Sequence, residues 1–356
     1  MGVALVGLVQ SGKSSLFEAV ARGGGSHVEL SRPDQPHLAV VKVPDPRLDW
    51  LAEQYKPGKV THAELAFLDL PGFDLSDEAG RARAKAHWPA VRQSQMVVYV
   101  LRAFPGDAVA AYRGRVDPQA DAKELLDEMR FADLEQVAGR IGKLEAALRK
   151  PAGKGEEQAR ELDLMKRLAA ALEGGKAVKE QIASEAERKL LGGFGLLSTK
   201  PALVVLNCSE DDAGKPAPSE FASLPCVSLA AKLEAELSRL GERERREFQA
   251  ELGLGASACD LMVGACLAQM NLVSFFTVNA NECRAWMTPA GADALAAAGM
   301  VHSDMARGFI RAEVVHYEDY RAAGDHKAAK AAGKVRLEAK EYVVRDGDVI
   351  YFRFNV

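Results

Sequence analysis

The chain has 356 residues, 48% of them hydrophobic and 27% charged, which is typical of a globular protein of two or three domains. Its formal net charge of -4 argues against binding to nucleic acid by bulk electrostatics. No run approaches the roughly 18 apolar residues of a membrane span, and no basic segment precedes the first apolar run as in a signal peptide. The five cysteines are scattered and form no C-x-x-C pair. We therefore expect a cytoplasmic protein with no membrane partner, no zinc site and no disulfide framework.

The first predicted element is a short apolar strand, residues 3–6, that runs directly into a phosphate-binding motif. Residues 7–14, GLVQSGKS, have the spacing G-x-x-x-x-G-K-S, and a helix is predicted over 15–21. In such a loop, backbone N–H groups and the helix N-terminus bind phosphate oxygens, a lysine contacts the outer phosphates and a serine hydroxyl is a ligand of Mg²⁺. The nucleotide-binding residues predicted here are Val9, Gln10, Ser11, Gly12, Lys13, Ser14 and Ser15.

The next strand, predicted over 63–70, ends in the D-x-x-G sequence of residues 69–72. Asp69 is placed to hold a Mg²⁺-bound water, and the N–H of Gly72 to meet a terminal phosphate. The motif alone is weak, but its position one strand after the phosphate loop makes it informative. We predict Ser14 and Asp69 as metal-binding residues, and Lys13 and Gly72 as catalytic residues.

Further apolar runs predict strands over 96–101 and 202–206 and a shorter strand from Val227. Such runs, without polar alternation and separated by helical stretches, predict an α/β fold with a mostly parallel, doubly wound sheet. Ligands of these sheets bind at the carboxyl ends of the strands. The further nucleotide-binding residues predicted at those ends are Asn207, Glu210, Ser228, Leu229 and Ala230.

About 100 residues between the strands 96–101 and 202–206 have helical periodicity. Apolar residues recur at spacings of three and four, at Leu134, Val137, Ile141, Leu144 and Leu148 and again at Leu162, Met165, Ala169 and Leu172. Two interpretations remain open: an antiparallel coiled-coil hairpin, or two amphipathic helices packed on the sheet.

From Leu272 onward, aromatic and β-branched runs predict a separate small module of strands around a short helix, with a turn at 345–348 before the last strand. The predicted division is a nucleotide-binding domain over 1–120 and 192–274, a helical insertion over 121–191, and a C-terminal module over 275–356.

Several long blocks resemble the YchF / Obg-like ATPase family, nearly from end to end of the chain. They are VKVPDPRLDWLAEQYKP, AELSRLGERERREFQAELGL, SFFTVNANECRAW, FIRAEVVHYEDY and AAKAAGKVRLEAKEYVVRDGDVIYFRFNV. The resemblance implies a P-loop NTPase G domain with a coiled-coil insertion, followed by a TGS domain of β-grasp type. It also implies a preference for ATP over GTP and association with ribosomes. The family's adenine preference is attributed to an N-x-x-E motif, which Asn207 and Glu210 match.

Three positions depart from the family pattern. Pro33 stands where the family has a first-switch threonine, and proline has no hydroxyl to offer Mg²⁺. The basic, helix-forming stretch Arg81–Lys85 replaces a glycine-rich second switch. Ala111 replaces a histidine in the loop after the strand 96–101, whereas Phe73 agrees with the family, which works without a water-orienting glutamine.

The leading hypothesis is a protein that binds Mg-ATP, hydrolyses it slowly by in-line attack of water, and associates with ribosomal RNA or protein. Two alternatives remain. One is a degenerate paralogue that binds nucleotide without hydrolysis and serves as a scaffold or regulator, which the three departures favour. The other is an ordinary GTPase, against which the N-x-x-E match argues.

Overall fold

The computed structural model describes residues 2–28, 30, 32, 34–106, 109–149 and 155–355. The chain divides into two compact units. The first consists of Met1–Ala39 and Ala66–Leu261, and the second of Val40–Leu65 and Met262–Val356. No helix in the described ranges combines the length and the hydropathy needed to cross a bilayer.

The strands, in chain order, are β1 (Gly2–Val6), β2 (His37–Val43), β3 (Lys59–Thr61), β4 (Ala63–Asp69), β5 (Met96–Arg102), β6 (Ala202–Asn207), β7 (Glu220–Phe221), β8 (Leu224–Leu229), β9 (Leu272–Val278), β10 (Glu282–Pro289), β11 (Phe309–His316), β12 (Arg336–Glu338) and β13 (Asp348–Phe354). The α-helices are α1 (Lys13–Gly23), α2 (Pro46–Tyr55), α3 (Glu78–Lys85), α4 (Trp88–Gln93), α5 (Pro118–Leu148), α6 (Gly155–Glu173), α7 (Glu185–Gly192), α8 (Ala231–Leu237), α9 (Glu242–Glu251), α10 (Ala258–Gln269), α11 (Ala294–Val301), α12 (Ser303–Arg307), α13 (Tyr317–Ala323) and α14 (His326–Ala331).

The larger sheet has the strand order β2-β4-β1-β5-β6-β8-β7. The pairs β1–β4, β1–β5, β5–β6 and β6–β8 are parallel, and the short β7 is antiparallel to its neighbour β8. Every residue of β5 is buried, as expected for a central parallel strand covered on both faces. The predicted mostly parallel α/β sheet is confirmed. Its topology brings the carboxyl ends of β1, β4, β6 and β8 to one edge.

Helix α5 is covered by two different partners along its 31 residues. Near its N-terminus, Ala122, Leu125 and Met129 pack into the hydrophobic core beside the larger sheet. Near its C-terminus, Val137 and Leu144 pack into a core shared with α6. Each of the two interpretations of the helical segment therefore describes one half of α5.

The second unit contains a sheet with the order β12-β11-β13-β9-β10-β3. Two of its elements, α2 and β3, come from residues 40–65: β3 pairs in parallel with β10, and α2 contacts β9 and β10. Arg47 on α2 bonds through Nη1 to Asp346 Oδ2 at 2.6 Å. The core of this unit contains Phe275, Ala294, Ala297, Ala312, Val314, Val344 and Ile350.

Candidate functional site

The phosphate loop lies between β1 and α1 and is fastened to the segment that follows Gly72. Phe73 N donates to Gly7 O at 2.9 Å, and Val9 N donates to Phe73 O at 3.0 Å. Gly12 has φ +84, in the left-handed region that favours glycine, and immediately precedes the first turn of α1. The loop and the D-x-x-G segment therefore form one hydrogen-bonded structure at the carboxyl ends of two adjacent strands.

Lys13, Ser14 and Asp69 are joined by one carboxylate. Lys13 Nζ lies 2.5 Å from Asp69 Oδ1, and Ser14 Oγ donates to Asp69 Oδ2 at 2.9 Å. Lys13 and Asp69 are both buried. Burial lowers the pKa of Lys13, and the charge of Asp69 and their hydrogen bond oppose that shift. The structure thus places the predicted lysine, serine and aspartate in direct contact.

The two oxygen-bearing side chains of this cluster fit a magnesium ion. A serine hydroxyl and a carboxylate are hard oxygen donors of the kind that Mg²⁺ takes, usually with phosphates and water filling its other positions. Ser14 Oγ and Asp69 Oδ2 are 2.9 Å apart, so both can reach one ion at the start of α1. The ring of His37 is close by, with Nδ1 3.9 Å from Asp69 Oδ2.

Asn207, at the end of β6, has its side-chain amide occupied by backbone on both sides. Its Nδ2 donates to Ser11 O at 2.9 Å, and its Oδ1 accepts from Ala231 N at 2.9 Å. The residue is buried and packs against Gly12, where an added Cβ would lie 2.0 Å from Nδ2. Asn207 therefore links the phosphate loop to the start of α8, a structural bridge that the sequence did not indicate.

Glu210 lies three residues beyond, in a short 3₁₀ turn over Glu210–Asp212, and is exposed. Its Oε1 lies 3.1 Å from Lys232 Nζ. The predicted segment Ser228–Ala230 ends β8 and leads into α8, with Leu229 and Ala230 buried. Ala231 and Lys232 were missed by sequence reasoning, although a lysine two residues after a predicted strand-end site was a usable signal.

A cavity of about 840 Å³ opens at the phosphate loop. The predicted residues Val9–Ser15 and Gly72 line it, whereas Asn207, Glu210 and Ser228–Ala230 do not. The residues predicted in the phosphate loop thus share one cavity with Gly72, and Asn207 is hydrogen-bonded to Ser11 in its lining.

Residues that the sequence did not single out also line the cavity, among them Asp34, Asp74 and His87. The ring of His87 stacks on that of Phe73, with centroids 6.2 Å apart and planes 10° from parallel. Burial lowers the pKa of His87, and the charge of Lys13 lowers it further. The Phe73–His87 stack joins a residue of the segment after Gly72 to the turn between α3 and α4, which no helix or strand periodicity brings together, so no local pattern marks it.

The loop after β5 is organised by Arg102, which is buried. Its guanidinium donates to the backbone carbonyls of Phe104, Gly106, Val109 and Ala110 at 3.0–3.3 Å. Ala111 follows this loop and is half-buried. Pro33, the departure in the first switch, lies outside the described residues.

Comparison with known proteins gives matches over nearly the whole chain. A family model with the description "YchF-GTPase_C: Protein of unknown function (DUF933)" matches residues 272–355. The ribosome-binding ATPase YchF of Bacillus subtilis (strain 168) is 36% identical over 363 residues, which cover 99% of this chain and 98% of that protein. Obg-like ATPase 1 of Oryza sativa subsp. japonica is 33% identical over 372 residues, covering 99% and 92%. The structure of the Schizosaccharomyces pombe YchF GTPase matches with a TM-score of 0.84 and 26% identity, covering 99% and 97%.

Proposed function

Because this chain belongs to the YchF / Obg-like ATPase family, we propose that it binds Mg-ATP at the phosphate loop, hydrolyses it slowly and works on the ribosome in the cytoplasm. The observation that carries the nucleotide site is the direct contact of Lys13 and Ser14 with Asp69 beside a cavity lined by the loop. The ribosomal partner rests on the names of the relatives, which are ribosome-binding ATPases.

In the proposed complex the loop amides and the N-terminus of α1 bind phosphate oxygens. Lys13 would exchange Asp69 for the outer phosphates, and Ser14 and Asp69 would hold Mg²⁺. When bound, the ion neutralises charge on the phosphates. For hydrolysis, the Gly72 N–H and the Lys13 ammonium stabilise the negative charge on the terminal phosphate while water attacks in line. A partner such as the ribosome is the proposed source of any further catalytic group.

For the base, we propose that Asn207 and Glu210, the two ends of the N-x-x-E motif, have different roles. Asn207 fixes the distance between the phosphate loop and the start of α8, because both polar ends of its amide are bonded there. Glu210 is exposed and free to turn toward a base, with Lys232 as its present partner. Backbone groups of Ser228, Leu229 and Ala230 complete this side of the site. Selection of adenine then depends mainly on Glu210.

The remaining parts of the chain are proposed as contact surfaces for the ribosome. The helical segment 121–191 is proposed as an inserted arm and residues 275–356 as a TGS-like module, in line with the predicted domain division.

The proposal is tested by competition of ATP and GTP for the full-length protein and by single-turnover cleavage of ATP with and without ribosomes. We expect ATP to bind more tightly than GTP, and Lys13→Ala to abolish cleavage. In the matched variant Glu210→Asp the carboxylate is one methylene shorter, and we expect the ratio of ATP to GTP affinity to fall several-fold. GTP binding about tenfold tighter than ATP, about 1.4 kcal/mol, would identify an ordinary GTPase.

A second candidate function is a nucleotide-binding scaffold or regulator without useful hydrolysis. Two observations favour it: the second switch contains a regular helix, α3, and the loop after β5 carries the apolar Ala111. In that case Lys13-dependent ATP binding would persist while single-turnover cleavage stayed at the level of Lys13→Ala, with ribosomes present as well as absent.

A further inference from the structure

The second-switch region presents two nitrogen-bearing side chains to the phosphate cavity. Arg83 on α3 and His87, four residues later at the start of α4, both line the cavity together with the phosphate loop. Neither belongs to the phosphate-loop or D-x-x-G motif.

Among the three basic side chains of α3, Arg83 is the one whose head group is not already engaged. Arg81 Nε donates to Leu75 O at 3.2 Å, and Lys85 Nζ lies 2.6 Å from Glu135 Oε2. Within the described ranges, Arg83 has neither a hydrogen bond nor an ion pair of this kind. The positive charge of Arg83 nevertheless acts on a group of the cavity. The pKa of Asp74 is lowered mainly by hydrogen bonds from Ser76, and the charge of Arg83 lowers it further.

His87 is held beside Phe73 in the wall of the cavity by aromatic packing. Its ring stacks on Phe73, the residue after Gly72, and Phe73 in turn packs edge-on against Trp88 with centroids 5.1 Å apart. Phe73 is buried and its backbone is bonded to Gly7 and Val9, so the surface under the imidazole is fixed. No hydrogen bond joins the ring nitrogens of His87 to any described residue, which leaves them open to a ligand.

The carboxylates of the cavity do not neutralise the positive charge of Arg83. Asp74 is directed to its own turn, where its Oδ1 accepts from Ser76 N at 3.1 Å and from Ser76 Oγ at 2.6 Å. Among the described residues of the lining, Asp34 is the other one with a carboxylate. Against these stands the positive charge of Arg83, which lines the same cavity as the N–H groups of the phosphate loop.

We propose that Arg83 and His87 form the part of the site that recognises the terminal phosphate of a nucleoside triphosphate. The guanidinium pairs with oxygens of that phosphate, and the imidazole hydrogen-bonds to the same group. A diphosphate ends at the phosphate loop and does not reach them. The pair therefore distinguishes ATP from ADP within the chain itself. This inference rests on the proposed function, since it requires a triphosphate on the loop.

The test compares equilibrium binding of the non-hydrolysable analogue AMP-PNP with that of ADP, both with Mg²⁺, to the full-length protein. For Arg83→Ala we expect the Kd of AMP-PNP to rise about tenfold, as for loss of a charge-assisted hydrogen bond, and the Kd of ADP to change less than about twofold. His87→Phe keeps the stacking on Phe73 and should weaken AMP-PNP alone by a smaller factor. Lys85→Ala removes one positive charge from the same helix outside the cavity and should change neither Kd.

The outcomes separate this inference from the function on which it rests. Equal loss of AMP-PNP and ADP binding in Arg83→Ala and Arg83→Gln, or no loss in either, overturns the terminal-phosphate role while Lys13-dependent ATP binding still supports the function. Binding of neither nucleotide by the wild-type protein, or binding unaffected by Lys13→Ala, overturns both. Thermal unfolding of each variant confirms that the folded protein is being compared.

Discussion

At the scale of single residues, the amide of Asn207 joins the two loops on either side of the candidate site. It accepts from the Ala231 N–H and donates to the Ser11 carbonyl, each at 2.9 Å, and it is only 4% exposed. Buried backbone groups that lose a partner carry the whole penalty of desolvation. The two hydrogen bonds of this asparagine therefore stabilise the shape of the phosphate loop.

Replacing Asn207 tests this bridging role. Asn207→Ala leaves two buried backbone groups without partners, so we expect the free energy of unfolding to fall by about 2–4 kcal/mol. Binding of ATP and GTP should weaken by the same factor, because the loop that serves both is disturbed. Urea unfolding and competition binding measure the two effects. Asn207→Asp, which can still accept from Ala231, should be intermediate in stability. A selective loss of ATP binding at unchanged stability would instead place the side chain on the base.

At the scale of elements, α3 is fixed closely against the segment that follows the D-x-x-G motif. Asp77 caps the helix, its Oδ1 accepting from Gly80 N at 2.6 Å. Gly80 in turn lies so near the backbone of Asp74 that an added Cβ would be 2.1 Å from its carbonyl oxygen. This contact is made by backbone and cannot be relieved by rotating a side chain. It sets where the cavity-facing side of α3 stands.

A pair of glycine-to-alanine substitutions tests that contact. Gly80→Ala forces α3 and the 74–76 turn apart, and we expect it to lower the free energy of unfolding by about 1–3 kcal/mol. Gly139→Ala, in the interior of α5 where a Cβ would meet nothing within 4 Å, should raise it by about 0.5–1 kcal/mol. Urea denaturation of both variants provides the comparison. Equal stabilisation by the two changes would show that α3 is free to shift.

Much of the larger sheet was predictable at this scale, because its central strands are uninterrupted apolar runs and its phosphate loop has a fixed residue spacing. The partners of α5 were not predictable in the same way. Periodicity marks an apolar face but not what covers it, and α5 changes partner between Met129 and Val137. The Phe73–His87 stack and the two hydrogen bonds of the Asn207 amide could not be predicted either. They depend on how turns and backbone groups are placed by the fold, which no residue spacing reports.

At the scale of the whole molecule, the second unit is assembled from two separated parts of the chain. Residues 40–65 supply α2 and β3, and Met262–Val356 supplies the other strands. Leu48 and Leu51 of α2 are completely buried. Nothing in the local pattern of residues 40–65 indicates this, since a short helix followed by a short strand fits either unit. The family match over 272–355 likewise omits them.

Separating the two parts tests their interdependence. The fragment 262–356 alone lacks the helix that covers β9 and β10, so we expect it to be partly unfolded or to aggregate. A synthetic peptide of residues 40–65 added in trans should raise its thermal midpoint in a concentration-dependent way, since burying each leucine contributes about 1.5–3 kcal/mol. A control peptide with Leu51→Asp should have no such effect, followed by circular dichroism. A fragment whose midpoint is the same with and without the peptide would show that residues 40–65 are dispensable.

Because the second unit is built from two separated parts of the chain, it can be completed only late in translation. Residues 40–65 emerge about 200 residues before Met262, which at 5–20 residues per second is a delay on the order of 10–40 s. The last strand made, β13, lies between β9 and β11 in the interior of the finished sheet. The apolar side of α2 therefore stays exposed until the sheet of the second unit is complete, at the end of translation. We expect chaperones to bind the nascent chain early, over residues 40–65, and to dissociate only when its C-terminus has left the ribosome.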